Sequence, residues 1–125
     1  MTIKVKDLAA FETRHAEWSG TRVLHTEYEV LAIRRVDAKR WQYLVEDQQR
    51  LKWWDADLFA VVEERLPADW ITEEYTRRHW YDHPDYNFRI PARAYHGPKA
   101  FVENRNFFFD IHENPQAAYE FYRSL

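Results

Sequence analysis

The chain has 125 residues, no cysteine, and 18 Lys and Arg against 21 Asp and Glu, for a formal net charge of −3. It is long enough to bury one core without staples. It offers no thiolate for a disulfide, a metal or a nucleophile, and so mild a charge gives no bulk attraction to nucleic acid. Two glycines are too few for a GxGxxG or a P-loop, whereas six Trp and an aromatic fraction of 18% supply side chains that enlarge small cores and anchor interfaces.

Residues 2–5, Thr-Ile-Lys-Val, alternate and predict a short first strand. Asp7 is placed to cap a helix with Leu8, Phe11 and His15 on its apolar side, and Gly20, after Trp18-Ser19, to end it. The opening stretch lacks a long apolar run and no later run approaches a membrane span, so the cytoplasm is the expected compartment.

Residues 28–70 organise the rest. Three runs, 28–36, 41–46 and 51–62, are dense in Val, Ile, Leu, Tyr and Trp, which suit a pleated, half-buried surface. Asp37-Ala38-Lys39 and Asp47-Gln48-Gln49 stand where tight reversals are needed. The pattern predicts a meander of antiparallel strands. After Glu29 the first run is apolar at odd and even positions alike, as in a strand covered on both faces or wrapped into a barrel. Asp55 is placed to cap a tight turn, after which Phe59-Ala60-Val61-Val62 resumes as a strand that Pro67 stops.

Further on, 71–81 and 86–92 predict a hairpin around Asp82-His83-Pro84-Asp85. Pro91 and Pro98 frame a loop containing Gly97, and Pro98 suits the first position of a helix over 99–103. A second short helix is expected over 106–111. Asn114-Pro115 pairs an N-cap with a proline at the first helical position, and Ala118, Phe121 and Tyr122 then fall on one stripe. The fold expected is a single α+β domain over 1–125: a strongly bent antiparallel sheet, SH3-like and a partly closed barrel, with C-terminal helices packed on it. Its parts are the meander 28–70, the hairpin 71–95 and the helical tail 98–124.

The segments YEVLAI (28–33), YLVED (43–47), WWDADLFAVVE (53–63) and LPADW (66–70), followed by GPKAF and FFFDIHENPQAAYEFY within 97–122, resemble a group of small bacterial immunity-like proteins of polymorphic toxin systems. The likeness covers most of the chain after Tyr28. It implies an inhibitor that occludes a toxin or effector protein. The residues that carry it are mainly structural, so it brings no active site with it.

Four constellations are candidates for chemistry. His79, Asp82 and His83, with Asp85 beside them, contain the ligand types of a transition-metal site; the same residues suit an exposed hairpin tip. The acidic set Asp55, Asp57, Glu63, Glu64, Glu73, Glu74, Asp82 and Asp85 is a solvated face or a rim that steers a basic partner. Trp53 and Trp54 point to opposite faces of a strand, so one is expected in the core and the other partly exposed, as an interface anchor. Arg34, Arg35, Lys39, Arg40, Arg50 and Lys52, interleaved with Trp41 and Trp53, have the composition that holds single strands, although acidic residues are about as many. Ser19 and Ser124 stand in no nucleophile motif.

The function expected is therefore non-enzymatic protein binding without a cofactor. Trp53, Trp54, Asp55, Asp57, Glu63, Asp82 and Asp85 form the expected contact surface. A metal-dependent enzyme using His79, Asp82 and His83, or a barrel for single-stranded nucleic acid, is the alternative.

Overall fold

The structure, a computed structural model, describes residues 1–16, 21–74, 94–104 and 106–125. The turn expected at 18–20 and the hairpin tip with His79, Asp82, His83 and Asp85 lie outside them.

Strand β1 (Thr2–Val5) leads to helix α1 (Leu8–Arg14), capped as expected: the Asp7 carboxylate accepts from the backbone N–H of Ala9 and Ala10. This satisfies two donors that the first turn leaves open. After α2 (Thr21–His25), the expected first run divides into β2 (Tyr28–Glu29) and β3 (Ala32–Arg35). Then come β4 (Trp41–Asp47), β5 (Arg50–Asp55), a 3-10 turn (Ala56–Leu58), β6 (Phe59–Glu63), β7 (Trp70–Glu74) and β8 (Ala94–Pro98). Helices α3 (Lys99–Val102), α4 (Phe107–Glu113) and α5 (Pro115–Ser124) complete the order.

The strands form two antiparallel sheets, ordered β2-β1-β6 and β5-β4-β3-β8-β7. They are not closed into a barrel. The 3-10 turn carries the chain from the edge of the larger sheet into the smaller one, where β6 pairs with β1.

The stretch 94–98, expected as loop, is instead a strand between β3 and β7. Glycine and proline mark loops by their local preferences. Here Gly97 serves packing: a Cβ at this position would come within 3.1 Å of the Ala32 Cβ on the neighbouring strand. Pro98 ends the strand and enters α3 at its N-cap.

The β4–β5 hairpin turns on Gln48 and Gln49, with φ of 51° and 61°, between the paired residues Asp47 and Arg50. Two left-handed central residues match the twist of a hairpin, but this conformation suits Asn-Gly and costs a side chain with a Cβ about 1–2 kcal/mol per residue. Replacing Gln48-Gln49 by Asn-Gly is expected to raise stability by about 1 kcal/mol. The urea midpoint should increase at unchanged slope, and an unchanged midpoint would count against a strained turn.

The larger sheet is covered on both faces. On one, Ala32, Leu44, Leu51, Trp53 and Tyr95 pack against Phe101, Phe107, Phe108, Ile111 and Ala118 of the C-terminal helices. Phe121 and Tyr122 of the expected α5 stripe join this cluster as partly buried members. On the other, Val45 and Trp54 meet Ile3, Val5, Phe11, Val23, Tyr28 and Phe59 from the smaller sheet and the first two helices. The core therefore has two halves, with β5 contributing one tryptophan to each.

Candidate functional site

Alternation along β5 sends Trp53 and Trp54 to opposite faces. With both faces covered, neither reaches the surface: Trp53 is 6% exposed and Trp54 0%. Trp54 packs edge-on against Phe11 and Tyr28, at centroid distances of 4.9 and 5.2 Å, and stacks on Phe59 at 5.8 Å. Trp53 lies under the Arg34 guanidinium at 4.5 Å. The expectation that one of the pair is an exposed anchor is corrected accordingly.

Asp55 is buried as well. Arg34, Gln42 and Asp55 are cross-strand partners in the register of β3, β4 and β5 and so share one face. Arg34 Nε donates to Gln42 Oε1 at 2.7 Å, and Gln42 Nε2 donates to Asp55 Oδ1 at 2.8 Å. Arg40 Nε donates to the same oxygen at 3.2 Å, and Arg14 Nη1 reaches Asp55 Oδ2 at 3.4 Å and Asp57 Oδ1 at 2.7 Å. Burial would raise the Asp55 carboxyl. The hydrogen bonds from Gln42 and Arg40, with the charges of Arg40 and His15, outweigh it and hold the group below its ordinary value.

Two of the carboxylates expected to meet a basic partner are thus engaged by arginines of the chain itself. Glu63 is exposed on β6, where its Oε1 accepts from the Arg65 backbone N–H at 2.9 Å. Asp82 and Asp85 lie outside the described residues. Among the described residues, no group of three or more His, Cys, Asp or Glu is placed to hold a metal ion, and His79, Asp82 and His83 are not among them.

The exposed aromatic surface lies elsewhere. Ile33 pairs with Tyr43 and with His96, and Arg35 with Trp41, so Ile33, Trp41, Tyr43 and His96 project from one face. This is the face that the smaller sheet buries at Val45 and Trp54 but leaves open at the Trp41 end. Trp41 is 40% exposed and Leu66, from the segment before β7, 44%. Together the five residues line a hollow of about 310 Å³. The rings of Trp41 and His96 lie 5.6 Å apart, and His96 Nδ1 is 2.6 Å from Thr72 Oγ1. Burial, then the nearby Arg35 charge, lowers the pKa of His96, which keeps the ring neutral and the hollow largely uncharged at neutral pH.

Trp41 is also the wall of a second hollow, of about 280 Å³, lined by Arg14, Lys39, Arg40, Asp55, Ala56 and Asp57. Its three cations face two carboxylates. Of the basic set read from the sequence, the fold gathers Lys39 and Arg40 beside Trp41, with Arg35 as its cross-strand partner, and withdraws Arg34 and Trp53 into the interior.

Sequence reasoning missed Trp41 as the exposed member of its set, as well as His96, Leu66 and Arg14. Only Trp41 carried a signal, as the first residue of its strand; the others come together through pairings distant in sequence. Compared with known proteins, the chain matches no family model, no curated protein and no solved structure. Among the described residues, no helix is long and apolar enough to cross a membrane.

Proposed function

We propose that this protein is a non-enzymatic binding domain that inhibits a toxin or effector by occlusion, with Trp41 as its anchor. The observation that carries this is the open apolar face of Ile33, Trp41, Tyr43 and Leu66, flanked on the Trp41 side by Lys39 and Arg40. An exposed indole between a neutral hollow and one whose cations outnumber its carboxylates by one has the makings of an interface hot spot. The charge of this rim selects the partner: a protein that presents an apolar projection bordered by carboxylates, the reverse of the basic partner expected from the sequence. The toxin as target rests on the sequence resemblance. The SH3-like description belongs to this reading too, and rests on the run from β3 to β6 with its sharp 3-10 corner, a device of small bent barrels.

The test takes the product of the gene beside this one and measures its binding to the wild type and to Trp41→Ala by calorimetry. Loss of about thirtyfold or more in affinity, with the variant still fully folded at the temperature of the measurement, supports the anchor. Absence of binding, or equal binding by the variant, overturns it. The cations beside an exposed Trp41 also favour a second reading, stacking of single-stranded nucleic acid. Oligonucleotide binding that weakens steeply with salt would establish that reading in place of the first.

A further inference from the structure

The smaller sheet lies across β4. Tyr28 of β2 stands over the end of that strand, its hydroxyl donating to Asp47 Oδ1 at 3.2 Å, and Phe59 of β6 packs edge-on against Tyr43 with centroids 6.2 Å apart. In the order β2-β1-β6 the edge nearest Trp41 is therefore β6, and among the described residues no strand pairs with its outer side. A fourth strand there, ~4.8 Å beyond β6, would cover the hollow formed by Ile33, Trp41, Tyr43, Leu66 and His96.

The backbone of β6 is set out for such a strand. The Lys6 N–H donates to the Leu58 carbonyl at 3.0 Å. Bonded and non-bonded pairs alternate along an antiparallel ladder, so Lys4 and Ala60 form the next bonded pair, and Phe59 and Val61 turn their N–H and C=O away from β1. The Phe59 N–H is taken up by the Ala56 carbonyl of the 3-10 turn. Both backbone groups of Val61 face the open edge. Proteins usually blunt such an edge with charge or proline. Here it carries Val61 and the bulged Val62, 41% and 50% exposed. Val61 alternates with Phe59 onto the inward side, so the edge is apolar on the side that faces the hollow.

A second copy of the chain does not fit this place. Its own β6 already covers its own larger sheet, so the two larger sheets would claim the same space beneath a joined edge. The occupant has to be an extended segment with nothing yet packed beneath it.

We propose that the target adds such a segment to β6 as a fourth strand of the smaller sheet, with apolar side chains at alternate positions facing the hollow. This rests on the reading of the Trp41 face as the target-binding surface and supplies its mode: main-chain bonds to β6 hold the segment, and the hollow selects its inward side chains.

The test uses the full chain, ¹⁵N-labelled, with the product of the neighbouring gene. In the complex the Val61 N–H is expected to exchange with solvent about tenfold more slowly or less, as an edge amide that has gained a partner. Val61→Pro removes this donor at an edge position that accepts proline and should weaken binding about tenfold. Val62→Lys, which leaves the ladder with β1 intact, should weaken it about fivefold by placing a charge against the added strand. An unchanged Val61 exchange rate, or wild-type affinity in Val62→Lys, overturns strand addition; if Trp41→Ala still loses affinity, the anchor stands without it. No binding by the wild type overturns both. A dimer of the free chain that Val62→Lys dissociates would show that copies pair at this edge, and would also overturn the proposal.

Discussion

Trp54→Ala is expected to lower the free energy of unfolding by about 3–5 kcal/mol. The indole is fully buried, with Phe11 and Tyr28 against its edges and Phe59 stacked on its face. These neighbours belong to α1, β2 and β6, so they cannot all close on the space it leaves. A loss of that size is a large share of the roughly 5–15 kcal/mol that holds a domain folded. Trp41→Ala, on a partly exposed ring with His96 as its aromatic neighbour, is expected to cost about 1 kcal/mol or less. Urea unfolding followed by far-ultraviolet circular dichroism measures both. Comparable losses in the two variants would show that the tryptophans are wrongly divided between core and surface.

Gln42→Leu should cost about 2–4 kcal/mol although it keeps the side chain's approximate size. Gln42 is buried and uses both ends of its amide, accepting from Arg34 and donating to Asp55. Leucine leaves a buried guanidinium donor and a buried carboxylate oxygen each short of a partner, and unmade bonds to charged groups are the expensive kind. The variant also changes the acid response. A carboxylate whose folded pKa is depressed adds stability above its unfolded pKa and loses it as pH falls through the folded value. Without the Gln42 hydrogen bond the depression of Asp55 shrinks, so its contribution is lost at a higher pH. The gap between the unfolding free energies of wild type and variant should therefore be widest at neutral pH and narrow as pH falls through and below the ordinary carboxylate range. Parallel curves would show that Gln42 does not tune Asp55.

Features that depend on near neighbours were legible in the sequence. Asp7 caps α1 through N–H groups two and three residues on, and Asn114-Pro115 opens α5. The meander from β3 to β6 follows from apolar runs broken by short polar turns. What escaped was whatever long-range pairing decides. Gly97-Pro98 reads as loop from local preference, yet the stretch is a strand because β3 and β7 lie on either side of it and the missing Cβ lets Ala32 approach. The smaller sheet was equally hidden, since β1 pairs with β6 across some sixty residues, as Thr2 with Glu63.

The candidate site divides in the same way. By itself the sequence determined that Trp53 and Trp54 oppose each other across a strand, because side chains alternate on a pleated backbone. It also determined that a polar turn follows them, and that the chain is rich enough in aromatics for both a core and an anchor. Only the tertiary structure decided which aromatic does which. Both faces of β5 are covered, so the tandem tryptophans fill two cores, while the same face runs out from under the smaller sheet at β4 and leaves Trp41 in the open. Exposure is a property of what lies opposite a residue, and what lies opposite these residues comes from the far ends of the chain.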